Sequence, residues 1–376
     1  MNLSYWELDT YFSSVDVLIV GSGIVGLNAA IALKEQKSNL KVLVIERGIL
    51  PLGASSKNAG FSCFGSVSEL LDDLENSSES EVFSLVEKRW KGLQRLRAVL
   101  GDKQLELNNW GGFELFDNEE IFEKCASNID YLNKQVSSIV GSNEVYKSAD
   151  NKINEFGFHN VGHLIENQFE GQIDTGKMIS SLVRKAQELG VLILNSIEIK
   201  SLQDNDNQVI VSLSNGFEFN ARKVIVATNG FAKQLLPELH VNPARAQVLI
   251  TQPIPNLKIK GTFHYDKGYY YFRNVGNRLL LGGGRNLDFS GEETTEMIVT
   301  ENIQNALESL LKEVILPKTD FTIDHRWSGI MGVGEKKTTI VKLISPNVAC
   351  SVRMGGMGVA IGSLIGAEVA DLILNS

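Results

Sequence analysis

The sequence predicts a two-domain α/β protein, one domain built on a parallel βαβ unit and the other an α+β domain built on a mainly antiparallel sheet. Three observations carry this expectation. An apolar strand, a glycine-rich turn, an alanine- and leucine-rich helix and a second apolar strand follow one another between Val17 and Arg47. A second glycine-rich strand-to-helix turn lies near the C-terminus, at Gly355-Gly356-Met357-Gly358. Between them, residues 233–320 are strand-rich and aromatic. At 376 residues the chain is long for one domain, and two is the natural expectation.

The first unit reads Val17-Leu18-Ile19-Val20, Gly21-Ser22-Gly23-Ile24-Val25-Gly26, Leu27 through Lys34, then Val42-Leu43-Val44-Ile45-Glu46-Arg47. Gly21 permits the tight turn, Gly23 lets the backbone approach a pyrophosphate, and Gly26 lets helix and strand pack closely. The free N–H groups and positive helix end then face phosphate. Glu46, twenty residues past Gly26, stands where a carboxylate accepts both ribose hydroxyls of an adenosine. The unit therefore predicts a Rossmann-like site for an adenine dinucleotide, and the acid disfavours the 2′-phosphate of NADP. Gly21, Ser22, Gly23, Ile24, Gly26, Glu46 and Arg47 are its candidate contacts.

Composition narrows the partner. The chain is 43% hydrophobic and 22% charged, as expected of a globular protein with a substantial core. A net charge of −9 without a dense basic stretch argues against nucleic acid and an anionic membrane surface, leaving a small molecule. Cys63, Cys125 and Cys350 stand far apart without metal spacing, the pattern of reduced thiols in a cytoplasmic protein. His159 and His163 are four apart but flanked by Gly157 and Gly162, so no metal is expected. Met354 to Leu374 is apolar but carries Glu368 and Asp371, so it reads as part of a buried core; no integral membrane segment is expected.

Taken in order, residues 1–14 form a surface lead-in. After Glu46 comes a loop containing Gly53-Ala54-Ser55-Ser56-Lys57-Asn58-Ala59-Gly60, small and hydrogen-bonding, suited to approach a long cofactor beyond its adenosine. Helical spacing predicts helices over 81–100 and 119–140, with a strand at Trp110 to Phe116 between them, and the region reads as an insertion leaving the nucleotide domain. Asp174 or Thr175 caps a helix that Gly190 stops. There follow a strand at 191–194, a hairpin whose turns are Asp204-Asn205-Asp206-Asn207 and Asn215-Gly216, and a buried strand Lys223 to Val226 ending in Ala227-Thr228-Asn229-Gly230. The Asp/Asn cluster is read as a turn rather than a calcium loop. In the strand Gly268 to Arg273, alternation puts Tyr269, Tyr271 and Arg273 on one face and Tyr270 and Phe272 on the other.

The glycine fingerprint with Glu46, followed by Ser-Ser-Lys-Asn-Ala-Gly, resembles the FAD-binding N-terminus of the D-amino-acid oxidase, glycine oxidase and sarcosine oxidase superfamily, whose nucleotide unit is of the glutathione-reductase type. Pro243-Ala244-Arg245-Ala246-Gln247 and the tyrosine strand running to Gly282-Gly283-Gly284 resemble its substrate sheet. The resemblance implies non-covalent FAD, with Ser55, Ser56, Lys57, Asn58, Ala59 and Gly60 along the ribityl chain and flavin. It places the backbone of Ile199 on the adenine and Ala227, Thr228, Asn229 and Gly230 near the dinucleotide. Arg353, Met354, Gly355, Gly356, Met357, Gly358 and Val359 would then face the flavin N1–C2=O edge. It divides the chain into a discontinuous FAD domain at 1–75, 145–232 and 321–376 and a substrate domain at 76–144 and 233–320.

The same resemblance implies oxidation of a small amine or amino acid by hydride transfer to flavin N5, with O2 or another acceptor reoxidising the flavin. An arginine fork commonly holds the substrate carboxylate in that family. Here the position after Trp327-Ser328-Gly329 is Ile330-Met331-Gly332, and Glu335-Lys336-Lys337-Thr338-Thr339 replaces the proline-and-glycine pattern. The departure weakens the expectation of a simple glycine or D-amino-acid substrate. Arg353 is either a carboxylate anchor, a partner for anionic flavin or half of a buried ion pair. Arg273 is a second anchor or a salt-bridge cation. Lys57 either assists electron transfer to oxygen or is solvated, and Tyr271 is a candidate at the substrate face. A 2-hydroxy acid or polyol-phosphate dehydrogenase is the alternative activity, and a non-catalytic flavin-binding subunit the alternative class.

Overall fold

A computed structural model describes residues 2–376. Its first eight-stranded sheet runs in the order Ile340–Ser345, Val348–Val352, Glu218–Val226, Val15–Val20, Val42–Ile45 and Leu192–Leu194, with the hairpin Ile199–Asp204 and Val209–Leu213 extending from Glu218–Val226. The strands from Val348–Val352 to Leu192–Leu194 are parallel. Helices cover one face of these strands, while Phe12 and the hairpin residues Val209, Val211 and Phe219 cover the other, so both sides are dry and Leu18, Ile19, Leu43 and Val44 are fully buried.

On one side the helix Ile24–Gln36 crosses the C-terminal helix Gly358–Leu374 at small residues, where a Cβ on Gly366 would lie 2.7 Å from the Val25 carbonyl. A third helix, Glu79–Leu100, lies against the second. Ser363 Oγ donates to the Gly92 carbonyl at 2.5 Å, and a Cβ on Gly92 would run into the Ala360 carbonyl oxygen. Gly92→Ala is expected to lower stability by about 2 kcal/mol, the scale of overpacking in a dense core. Thermal denaturation checks this as a fall of several degrees in Tm.

The second eight-stranded sheet is ordered Ile323–Val333, Asn242–Thr251, Arg278–Gly283, Tyr270–Val275, Thr262–Tyr265, Gly112–Phe116, His163–Asn167 and Tyr146–Ser148. All its pairings are antiparallel except that of Thr262–Tyr265 with Gly112–Phe116. One face packs Phe113, Phe263, Phe272 and Leu281 beneath the helix Glu301–Leu310. The other face turns toward the loop that follows the first βαβ unit, as Ala59 and Phe61 meet Val248, Tyr271, Leu280 and Trp327 there.

Sheet membership divides the chain at other points than the expected domain boundaries. The strands Tyr146–Ser148 and His163–Asn167 fall within 145–232 and Ile323–Val333 within 321–376, yet all three belong to the second sheet. The helix Glu79–Leu100, inside the expected substrate segment, buries Val82, Val86, Leu93 and Leu96 in the core of the first layer. The gap at Gly92 seats this helix on the C-terminal helix.

Two local differences have local causes. The amphipathic stretch 119–140 forms two helices, Glu119–Ser127 and Ile129–Val140, broken at Asn128 with φ −104° and ψ 1°. Phe217-Glu218-Phe219 and Lys223-Val224-Ile225-Val226 are not separate strands, since Glu218–Val226 runs unbroken through Asn220-Ala221-Arg222, where no turn residue interrupts it. The Asp204 turn has a structural use: its carboxylate accepts from Ser345 Oγ at 2.6 Å and from the Asn347 N–H and Nδ2 at 2.9 and 2.8 Å. No helix among the described residues is long and apolar enough to cross a membrane.

Candidate active site

The parallel strands end at a cleft lined by Gly21, Gly23, Glu46, Arg47, Ser55, Ile199, Ala227, Thr228 and Asn229 among the sequence-predicted residues. Its geometry follows from the glycines. Gly21 has φ +101°, a backbone state that disfavours a side chain. A Cβ on Gly26 would overlap the Gly21 carbonyl oxygen and sit 3.2 Å from Ile19. Both keep the first turn of Ile24–Gln36 tight against the strand. The helix N–H of Ile24 donates to Ser55 Oγ at 2.9 Å, so the loop hydroxyl sits at the helix mouth. Glu46 is buried, with Oε2 accepting from Ser22 N and Oγ at 3.0 Å each and Oε1 accepting from Gly48 N at 3.0 Å. The Arg47 guanidinium lies 4.0 Å over the Phe231 ring and donates to Gln234 at 3.0 Å.

Other predicted contacts stand behind this lining. Ser22, Ile24 and Gly26 are buried under the turn. Ser56 donates to the Pro51 carbonyl at 2.5 Å. Asn58 braces its own loop, donating to Ser55 O at 2.8 Å and accepting from Gly60 N at 2.8 Å and Thr175 Oγ1 at 3.0 Å. Lys57 presents its carbonyl to Trp327 Nε1 at 2.9 Å, joining the loop to the second sheet.

Asn229 ties the remaining segments together. At φ +46° its Oδ1 accepts from the backbone N–H of Arg353 at 3.0 Å and of Met354 at 3.3 Å. Neighbouring Gly230 packs against the Met331 carbonyl, and Gly355 N donates to Gly332 O at 3.1 Å. Thus the Ala-Thr-Asn-Gly turn, the Trp-Ser-Gly strand and the second glycine turn meet around one amide, with Gly355 and Gly356 at φ +56° and +82° ahead of the helix at Gly358.

The cations lie differently from the alternatives the sequence offers. Arg353 donates to Thr338 O at 2.7 Å, Thr338 Oγ1 at 3.2 Å and His240 O at 3.2 Å, and burial lowers its pKa. These acceptors are neutral, so Arg353 belongs to no ion pair in this arrangement. Arg273 is buried, donates to the carbonyls of Ala59 and Ile173, and burial brings it down to about 10. It pins the loop at Ala59-Gly60 rather than forming a surface salt bridge. Tyr271 shares its face, and burial pushes its hydroxyl up to about 12. By register, the row Trp327, Val248, Gly282, Tyr271, His264 and Glu114 crosses the sheet on that side. Phe61 stands edge-on to both His264 and Tyr271, with ring centroids 5.3 and 5.7 Å apart.

Comparison with known proteins decides the family. A family model described as "FAD dependent oxidoreductase" (DAO) matches residues 16–372. The chain belongs to the FAD-dependent oxidoreductase family. It is 24% identical over 371 residues to the bifunctional protein ThiO/ThiG of Synechocystis, covering 96% of this chain and 52% of that one. It therefore spans about half the length of that relative. It is 23% identical over 391 residues to the gamma-glutamylputrescine oxidoreductase of Escherichia coli, covering 98% and 86%. Among solved structures, L-proline dehydrogenase from P. horikoshii superposes with a TM-score of 0.77 at 18% identity, covering 96% and 94%, which establishes the fold.

FAD is the cofactor of this FAD-dependent oxidoreductase, and the residues present fit it. The turn around Gly21 and Gly26 leaves no space for side chains, Glu46 lines the cleft at the strand end, and Thr228 Oγ1 is buried without a hydrogen-bond partner among the described residues. All three cysteines are buried outside the cleft lining. Sequence reasoning passed over Leu52, Ile197, Phe231 and Leu235, which also line it. These apolar residues carry no pattern of their own. They follow the predicted loop, strand and turn by one to five positions, and adjacency is the signal that finds them. Asn229→Ala removes two acceptances, each worth about 1 kcal/mol. It is expected to raise the FAD Kd about tenfold, read from quenching of flavin fluorescence on titration.

Proposed function

We propose that this FAD-dependent oxidoreductase oxidises a C–N bond of a small amine or amino acid, with O2 or another acceptor returning the cofactor to its oxidised form. When bound, FAD supplies the hydride acceptor at N5. The observation that supports the reading is the second sheet's face over the loop after the βαβ unit, where Phe61, Tyr271, Trp327 and His264 form a largely apolar wall. Such a wall excludes water and orients a small substrate, which is how this chemistry gains most of its rate. The relatives' names, gamma-glutamylputrescine oxidoreductase and L-proline dehydrogenase among them, are those of enzymes acting at amine nitrogen.

In this reading Gly21, Gly23 and the Ser55 hydroxyl, which the Ile24 N–H holds at the helix mouth, face the pyrophosphate, Glu46 the adenosine ribose, Ile199 the adenine, and residues 353–359 the flavin edge. Arg273 positions the flavin loop through Ala59. Neither Arg273 nor Arg353 clamps a carboxylate, because Arg273 spends its donors on the chain's own carbonyls and Arg353 on carbonyls and the Thr338 hydroxyl, and Ile330-Met331-Gly332 stands where the resemblance implies an arginine. Substrate recognition then rests on the aromatic wall and Tyr271.

The test is anaerobic reduction of FAD-loaded protein by panels of amino acids, N-methyl amino acids, polyamines and 2-hydroxy acids, followed at the flavin absorbance band. Bleaching by an amine with peroxide or acceptor reduction afterwards is the expected result. Bleaching by hydroxy acids alone would transfer the assignment to a dehydrogenase of that class.

A further inference from the structure

Beside the aromatic wall lies a small, partly open cavity lined by Ser66, Glu114, Tyr146, Asn167, Glu170 and His264, among others. Asn167 is 4% exposed, its Oδ1 accepts from Phe169 N at 3.0 Å, and its Nδ2 has no hydrogen-bond partner among the described residues. His264 Nε2 is likewise buried without a partner. Glu170 uses Oε1 to accept from the N–H groups of Phe64 and Gly65 at 2.9 and 3.3 Å, while Oε2 lies 3.9 Å from His264 Nε2, beyond direct hydrogen-bond reach. A polar cavity with unmet donors and room for one water is where buried water is found.

We propose that one water fills this cavity, bound by Asn167 Nδ2, His264 Nε2 and Glu170, and that it carries the substrate's ammonium proton from His264 to Glu170. The inference rests on the amine-oxidation reading, since an amine must shed that proton before its C–H bond yields a hydride. One proton leaves the ammonium nitrogen, crosses the imidazole and the water, and ends on the Glu170 carboxylate; no electrons move in this step. His264 stands in the wall and Glu170 lies over Gly112 on the same face of the sheet, one strand further from Tyr271, so the route leads along the sheet away from Tyr271. Asn167 is a positioning residue for the water.

The surroundings suit a proton store. Burial, chiefly, raises Glu170 to about 8, with Glu69 and Glu114 raising it further against the Phe64 and Gly65 amides. Burial lowers His264, so its ring is neutral and able to relay. The other groups facing the pair are Cys63 after the strand Phe61–Ser62, Glu69 on the helix Val67–Asn76, Arg89 on Glu79–Leu100, Glu114 on Gly112–Phe116 and Tyr146 on Tyr146–Ser148. Lys337 reaches the set through Glu69 at 3.4 Å. Glu69 already has Arg89 and Lys337, and the Glu114 carboxylate is taken up by Ser66 and Ser68, which leaves Glu170 Oε2 as the carboxylate oxygen facing His264 Nε2.

Three measurements on the FAD-loaded full chain test this. A high-resolution crystal structure should show a water within hydrogen-bond distance of Asn167 Nδ2 and Glu170, and a dry cavity would overturn the proposal. Infrared titration should show a protonated-carboxyl band lost near pH 8 in the wild type and absent in Glu170→Gln. For the amine that bleaches the flavin in the panel above, the limiting bleaching rate should climb to a plateau with a midpoint near 8. Glu170→Gln should slow that rate about tenfold, below the full effect of a direct base because the acid acts through a relay, and abolish the pH step. Glu170→Asp should restore the step with a shifted midpoint. An unchanged pH profile in a folded Glu170→Gln protein would sink the relay. Failure of every amine to bleach the flavin removes the reading beneath it and the relay together, while the water site stands or falls on the density.

Discussion

Gly26→Ala is expected to purify largely free of flavin. The added methyl would overlap the Gly21 carbonyl oxygen and press on Ile19, both in the strand-to-turn junction, so the helix Ile24–Gln36 has to move outward. That helix is also held from behind, where Gly362 and Gly366 of the C-terminal helix approach Ile24 and Val25 too closely to give way. Caught between two backbones, the methyl costs about 1–3 kcal/mol, typical of overpacking. Much of this falls on the bound state, because the displaced helix carries the Ile24 N–H, and with it the Ser55 hydroxyl it holds, out of the cleft mouth. At 1.4 kcal/mol per decade, FAD affinity should fall by roughly tenfold to a hundredfold, measurable by titrating apoprotein with FAD. Gly162→Ala is the control, since a Cβ there meets only the Phe116 carbonyl at 3.8 Å and Gly162 has no strained φ. Equal loss of flavin in both variants would show that the tight turn is not what holds the cofactor.

The demands on Gly21, Gly23 and Gly26 are local and were legible in the sequence almost in full. So were the helix capped by Asp174, whose carboxylate does accept from Lys177 N, and the alternation that separates Tyr271 from Phe272. What could not be read was the long-range pairing. The strand His163–Asn167 looks no different whichever sheet it joins, and the stripe of Glu79–Leu100 fits any apolar face. The arginines show the same limit at the site. A buried guanidinium invites an anionic partner, yet Arg273 and Arg353 find carbonyls contributed by Ala59, Ile173, Thr338 and His240, all distant in sequence. Glu170 and His264 escaped notice because neither sits in a motif. Their proximity exists only once Thr262–Tyr265 lies beside Gly112–Phe116 and the loop after His163–Asn167 folds back over Gly112.

The same buried cluster sets the second large effect, a fall in stability as pH rises from about 4.5 to about 8. Burial is the main cause that raises Glu170 to about 8, so across this window the folded carboxyl keeps a proton that the unfolded chain, at the ordinary value of 4.5, has released. A folded-state pKa above the unfolded one contributes stability that is whole below the lower value and lost through the upper. Glu69 works in the opposite sense. Burial pushes it up, but Arg89, Lys337 and His264 outweigh that and bring it down to about 2, so its contribution is present above 4.5 and lost as pH falls toward 2. At 1.36 kcal/mol per unit the alkaline loss from Glu170 amounts to about 3 kcal/mol once relaxation of the site is allowed for. Urea unfolding across this range, with FAD held at fixed excess so that its binding does not move the baseline, should show both limbs in the wild type. Glu170→Gln retains an oxygen for the Phe64 and Gly65 amides but cannot ionise, so it should flatten the alkaline limb and leave the acid limb in place. A variant that loses stability as steeply as the wild type would move the assignment to Glu114, which burial also raises. A carboxyl kept at such a cost near neutral pH is common where a proton must be taken up, and this one lies 3.9 Å from His264 Nε2.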